Sequence, residues 1–235
     1  MLVRRSLGEG GALGAWVKAS ANHALSSLFE PPCAACRERL RHPLDGSVCE
    51  VCWASIRHAR PLEVRFDAPH AICWAVAVEA YDGRMKDIIH ALKYDRRRSI
   101  SPRLGALMRD SGARLLGDAD CVVPVPLHPR RQYSRGFNQA HDLALHLGLP
   151  VLPLLKRAVF TRSQIDLPRH ERHENVRDAF STVPGSRFPD AGVVVIVDDV
   201  ATTGATLEQC AIALKRSGVR EVRALTAARV VTAPR

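Results

Sequence analysis

At 235 residues the chain has room for one good-sized domain and a small accessory module. Apolar residues make up 46% and charged residues 25%, a balance that excludes a disordered or fibrous chain, and no apolar run reaches the ~18–20 residues needed to span a bilayer, so membrane insertion is not expected. Lys plus Arg outnumber Asp plus Glu by 34 to 24; the formal charge of +10 favours polyanionic partners, phosphorylated metabolites or nucleic acid alike, and is silent on fold.

Residues 1–32 read as a leader ending in Pro31 and Pro32. Arg4 and Arg5 suggest a signal peptide, but glycines, Lys18 and His23 break the apolar core that one would need, so a cytoplasmic protein is the expectation. A short amphipathic helix is predicted from Ala15 to Phe29, with Trp16, Ala19, Ala24, Leu25 and Leu28 on one face, behind a glycine-rich head expected to be mobile.

Residues 33–60 form a second block, in which Cys33, Cys36, Cys49 and Cys52 are spaced C-x2-C, twelve residues, C-x2-C. Two cysteines three apart on a tight turn can face one ion, and a second such turn completes a tetrahedral thiolate cage at about 2.3 Å per bond. Asp45-Gly46 supplies a midway turn, as a small β-ribbon would need. Two disulfides are the alternative, which a reducing compartment disfavours. With four protein ligands no coordination position stays open, so a structural zinc is predicted. Cys73, Cys121 and Cys210 lie in apolar runs and read as small buried side chains.

From about residue 70 to 235, strand-type and helix-type runs alternate as in a parallel α/β sheet. Strands are predicted in 71–81, 120–126, 192–200 and 219–231, and helices in 84–94, 138–148 and 205–218, with Asn138 as an N-cap and Gly148 and Gly218 as left-handed residues at helix ends. Within 193–206, VVVIVDDVATTGAT, the run Val193 to Val197 is apolar on both faces, as a central strand of a covered sheet must be. Asp198 and Asp199 emerge at its carboxyl end, where open α/β sheets bind ligands. Ala201, Thr202, Thr203, Gly204, Ala205 and Thr206 then lead into a helix; successive N–H groups and threonine hydroxyls there make a phosphate nest. Carboxylates beside a phosphate seat make sense if the ligand carries vicinal hydroxyls, and a ribose 5-phosphate supplies both. A Walker-B strand would need a G-x-x-x-x-G-K-S/T loop, which the chain lacks, and a response-regulator receiver gives the hydroxyl-rich loop no role.

This stretch closely resembles the phosphoribosyl diphosphate (PRPP) signature of type I phosphoribosyltransferases. In such enzymes a loop after an earlier strand grips the pyrophosphate, and Val125, Pro126 and Leu127 occupy the matching place, followed by a loop carrying Arg130, Arg131 and Arg135. The polar stretch 160–180 suits a flexible loop closing over PRPP, with Gln164, Arg172 and Asn175 as its inward-facing groups. Lys93 and Arg96, Arg97 and Arg98 read as a solvated basic face.

Taken in order, the two C-x2-C pairs, YDGRMKDIIHALKY, VPVPLHPRR…RGFNQA, RSQIDLPRHERHENVRDAF and VIVDDVATTGAT resemble the competence protein F family. The resemblance runs from about Leu28 to Val231. It implies a zinc ribbon ahead of a type I phosphoribosyltransferase domain, Mg²⁺ with PRPP as ligand, and a cytoplasmic role in DNA uptake beside a helicase-like partner. No base-recognition hood is expected after the last strand, which leaves the acceptor open. Two readings stay open as well: a transferase, and a single-stranded-DNA accessory protein that uses the PRPP fold for binding or sensing. The Arg clusters favour the second, whereas the small number of aromatic residues (six Phe, three Trp, three Tyr) provides few stacking platforms.

Overall fold

The computed structural model describes residues 10–28, 31–57, 60–157, 179–186 and 192–231. In chain order these residues form α1 (Gly10–Leu28), a 3-10 turn (Pro43–Asp45), α2 (Glu50–Arg57), β1 (Leu62–Arg65), β2 (Trp74–Ala80), α3 (Gly83–Lys93), a second 3-10 turn (Arg98–Ile100), α4 (Ser101–Ser111), α5 (Ala113–Leu116), β3 (Cys121–Pro124), α6 (Pro129–Arg135), α7 (Gln139–Ala144), β4 (Leu155–Arg157), β5 (Phe180–Thr182), β6 (Val193–Ala201), α8 (Ala205–Arg216) and β7 (Glu221–Arg229).

The central sheet runs β1-β2-β7-β6-β3, parallel except for β1, which joins β2 antiparallel. β4 and β5 make a separate antiparallel pair. β6 lies between β7 and β3 and is apolar on both faces because both faces are covered. Val195 and Val197 enter one core with Met85, Ile88 and Leu92 of α3, Leu104 and Met108 of α4, and Leu143 of α7. Val194 and Ile196 enter a second core with Leu207, Cys210 and Leu214 of α8 and Phe180 of β5. Each of these side chains, fully buried, contributes roughly 1.5–3 kcal/mol.

The first core also takes in the cysteine block: Cys33, Leu40, Val48, Cys52, Trp53 and Ile56 pack with the α3 side chains. Polar contacts reinforce the junction. Arg84 Nη1 donates to the Ala35 carbonyl at 3.2 Å, Ser47 and Ser99 hydroxyls meet at 2.9 Å, and Arg103 forms a two-pronged pair with Glu50 while lying over the Trp53 ring.

Three local expectations differ. α1 begins at Gly10, inside the glycine-rich head, and Ala19 and Ala24 are exposed; its buried point is Asn22, whose Oδ1 accepts from Leu44 N at 2.8 Å, beside a Lys18–Asp45 ion pair at 2.6 Å. Among the described side chains of this helix, the buried contact is polar. The second C-x2-C pair opens α2 instead of lying on a ribbon, with the 3-10 turn and Gly46 (φ 137°) between the pairs. The predicted helix over 138–148 forms only as α7, six residues.

Candidate functional site

The carboxyl end of β6 carries the acid pair. Side chains alternate along a strand, so Asp199 follows Val195 and Val197 to the α3/α7 face, and Asp198 follows Val194 and Ile196 to the α8 face. Asp199 is 6% exposed; Lys93 Nζ lies 2.7 Å from its Oδ1 and Gln139 Nε2 donates to its Oδ2 at 3.3 Å. Asp198 Oδ1 accepts from Asp199 N at 2.8 Å. Burial and the neighbouring Asp199 carboxylate push Asp198 up to about 7, against the pull of Lys93 and Arg157.

Beyond the acids the chain turns into α8. Val230 N donates to the Ala201 carbonyl at 2.9 Å, which ties the loop start to β7. Gly204 is the N-cap in the left-handed conformation, φ 82°, where a side chain would strain the backbone. Thr203 Oγ1 accepts from Ala205 N at 3.3 Å, and the helix proper starts with Glu208 N donating to the Gly204 carbonyl at 2.9 Å. Ala201, Thr202, Thr203, Gly204 and Thr206 are half-buried and Ala205 is buried. A twelve-residue helix directs its first-turn amides and positive dipole end at this loop. On the other side of Thr203 and Gly204 lies a cavity of about 110 Å³, walled by Phe66, Ile72, Ala75, Leu207 and Ala224.

The neighbouring segment after β3 runs beside the acids. Val125 is buried, its N–H donates to the Val197 carbonyl at 2.9 Å and its carbonyl accepts from Asn138 Nδ2 at 3.0 Å; Pro126 and Leu127 are half-buried. Asn138 caps α7 as expected, accepting from Ala140 N at 3.0 Å. The arginines that follow are not on a loop. Pro129 at the first position and His128, whose Nδ1 accepts from Arg130 N, start the short helix α6, and Gly136 (φ 81°) ends it. Arg130 is exposed, and Arg135 lies 5.4 Å over the Tyr94 ring. Gln164, Arg172 and Asn175 lie outside the described residues.

Three site residues were not legible as such. Lys93, read as part of a solvated face, reaches Asp199 with only 17% of its side chain exposed. Gln139 is 1% exposed and is the second support of Asp199. Arg157, at the end of β4, is 8% exposed and lies 5.1 Å over the Phe180 ring; burial and Arg131 depress its guanidinium, while the nearby Asp198 raises it. A signal for Lys93 did exist: it follows Met85 and Ile89 at four-residue steps on the buried stripe of α3. Of the rest of that basic face, Arg98 clamps Asp142 through two bonds of 2.6 and 3.0 Å, and Arg96 donates to the Ser134 carbonyl at 2.7 Å.

The Sγ atoms of Cys33, Cys36, Cys49 and Cys52 all lie within 4.8 Å of one another, with Cys33–Cys52 at 4.0 Å and Cys36–Cys49 at 3.7 Å. A tetrahedron with ~2.3 Å bonds has edges of about 3.8 Å, so this cluster can hold a metal ion such as zinc. Burial works against ionising Cys33, but backbone donors outweigh it and bring the thiol down to about 7; Cys49 N donates to its sulfur at 3.3 Å. Cys121 and Cys210 are buried, as expected, and half-buried Cys73 donates to Glu221 at 3.4 Å. Among the described residues, no helix is long and apolar enough to cross a membrane.

Residues 133–232 match the family described as "Phosphoribosyl transferase domain". The chain is 31% identical over 206 residues to DNA utilization protein YhgH of Salmonella typhimurium, covering 81% of this chain and 87% of that protein. It is 27% identical over 208 residues to Competence protein ComFC of Bacillus subtilis, covering 80% of each. Over 110 residues it is 38% identical to Competence protein F of Haemophilus influenzae, covering 44% of this chain and about half, 48%, of that relative.

Proposed function

The chain belongs to the competence protein F family, and from that premise we propose that it binds Mg²⁺-PRPP at the carboxyl edge of its sheet and acts as a phosphoribosyltransferase-like protein linked to DNA uptake. One observation carries this: within nine residues, β6 delivers two adjacent acids, one to each face, and then a Gly204-capped loop feeding a helix N-terminus. In this reading the 5-phosphate sits on the amides of 202–206 and the ribose hydroxyls donate to Asp198 and Asp199. The diphosphate lies toward Val125, Pro126 and Leu127, with Arg157, Arg130 and Arg135 as the nearby cations. Mg²⁺, brought in with PRPP, would offset the charge of the diphosphate beside Asp198 and Asp199. The protein's part in transfer is to orient the anomeric carbon and to stabilise the leaving pyrophosphate with Arg and backbone donors, with little proton transfer. Segment 160–180, with Gln164, Arg172 and Asn175, is the proposed cover that keeps water away. The four thiolates suit zinc, which would staple residues 33–60 in a closed, non-catalytic site. A reducing cytoplasm keeps those thiols available.

Calorimetric titration of Mg²⁺-PRPP tests the site. Wild type binds, and Asp199→Asn loses binding while keeping its metal content and circular dichroism spectrum; retained affinity in the variant would remove the acids from the site.

A second reading, single-stranded DNA binding, has its own support. Tyr133 is 92% and Tyr94 50% exposed, and both stand among the Arg residues of α6 and of 96–98. Fluorescence anisotropy with a labelled single strand checks it: affinity falls steeply with salt and drops about tenfold or more in Tyr133→Ala/Tyr94→Ala. An unchanged affinity in the double variant excludes this surface.

A further inference from the structure

A polyanion should avoid two carboxylates, yet the candidate site places both beside the phosphate loop. Lys93 resolves the conflict. On α3, Met85, Ile88, Ile89 and Leu92 are at most 1% exposed, and Lys93 follows Ile89 by one turn on the same stripe. Its stem therefore runs along the core and its ammonium emerges at the carboxyl edge of the sheet, 2.7 Å from Asp199 Oδ1. From the opposite side α7 brings Gln139 Nε2 to Oδ2 at 3.3 Å. Gln139 is 1% exposed, and its Oε1 has no hydrogen-bond partner among the described residues. A carboxylate accepts about four hydrogen bonds, so each oxygen of Asp199 keeps an acceptor position beyond these two contacts. Burial works against the charge on Lys93, but its pairing with Asp199 prevails and holds the ammonium protonated.

We propose that Lys93, with Gln139 as its counterpart, is a positioning residue for the sugar end of this site: it fixes the Asp199 carboxylate so that its remaining acceptor positions serve the vicinal hydroxyls of the ligand. This rests on the ribose 5-phosphate reading given above. Lys93 acts through Asp199 and leaves the phosphate to the loop. Its removal therefore erodes recognition of the hydroxyls specifically, and binding of the phosphate persists.

The test compares ribose 5-phosphate with 2,3-dideoxyribose 5-phosphate, each titrated with Mg²⁺ into the full chain. Wild type prefers the diol by about tenfold or more, the effect of one or two hydrogen bonds to a charged acceptor. In Lys93→Met that preference shrinks to about threefold or less while the dideoxy ligand binds as before, and Lys93→Arg restores most of it. If Lys93→Met does not fold, Gln139→Met shows the same loss of preference, smaller in size. A merely structural role for Lys93 would weaken both ligands together and leave the preference intact, and that result overturns the proposal. If wild type binds neither ligand, the ribose 5-phosphate reading falls and takes the proposal with it. If wild type and Lys93→Met discriminate equally well, the proposal alone falls.

Discussion

Asp198 and Asp199 are consecutive residues of one strand, yet they live in different halves of the molecule. Asp199 faces the core built on α3, α4 and α7, and finds a cation and an amide waiting. Asp198 faces the core built on α8, where burial lifts it to about 7. The difference teaches how a sheet edge can carry adjacent acids: strand alternation separates their environments, and Lys93 gives the Asp199 side a close counter-ion. The Asp199 side also includes the cysteine cage, since Cys33 and Cys52 pack into the same core as α3.

The largest expected effect separates the two halves through that cage. Cys49→Ser should lose the bound metal and destabilise residues 33–57 by several kcal/mol, because metal affinity in such modules is folding energy. Metal analysis and hydrogen exchange would show protection falling in α2 and α3 and holding in α8. Undiminished metal content rules out the cage, and equal loss in α3 and α8 breaks the comparison.

Next come the acids themselves. Asp199→Asn leaves a largely buried ammonium without its partner and should cost about 2–4 kcal/mol, the low end of breaking a buried pair because Lys93 keeps some contact with water. Asp198→Asn should lie within about 1 kcal/mol of wild type or above it, since it removes a carboxylate that burial penalises. Urea unfolding at pH 7.5 compares them, and the reverse order contradicts the assignment of partners.

A last effect shows only as a pH dependence. Asp198 titrates higher in the folded chain, near 7, than its ordinary 3.8. Between those values the folded state binds the extra proton, so this group's contribution falls as pH rises from about 4 to 7 and is flat above. The stability of Asp198→Asn relative to wild type should thus climb over that interval. A flat difference in urea midpoints from pH 4.5 to 7.5 would mean that Asp198 is ionised at low pH like any surface acid.

How much of this was legible depended on whether the determining contacts are local. β6 and its loop were readable because five apolar residues in a row demand cover on both faces, and the acids and Gly204 follow within the same strand–turn–helix unit. The cysteine cage was readable because ligand spacing is a short-range constraint. Lys93 was not, since a lysine at a helix end usually snorkels into water and its true partner stands 106 positions away on β6. α6 looked like a loop because its arginines give no apolar stripe; Pro129, the His128 cap and Gly136 are what make it a helix. α1 misled in the opposite way: Ala19 and Ala24 of its expected apolar face are exposed, while the polar Asn22 is buried and anchored.

The central claim is that the loop after β6 seats a 5-phosphate while the two acids take the sugar hydroxyls. A crystal structure with Mg²⁺ and PRPP tests it most directly. The account predicts the 5-phosphate on the amides of Thr203, Gly204 and Ala205, the ribose hydroxyls within hydrogen-bond distance of Asp198 and Asp199, and Lys93 still paired with Asp199. A PRPP molecule bound elsewhere, or seated with its hydroxyls away from both acids, would contradict it.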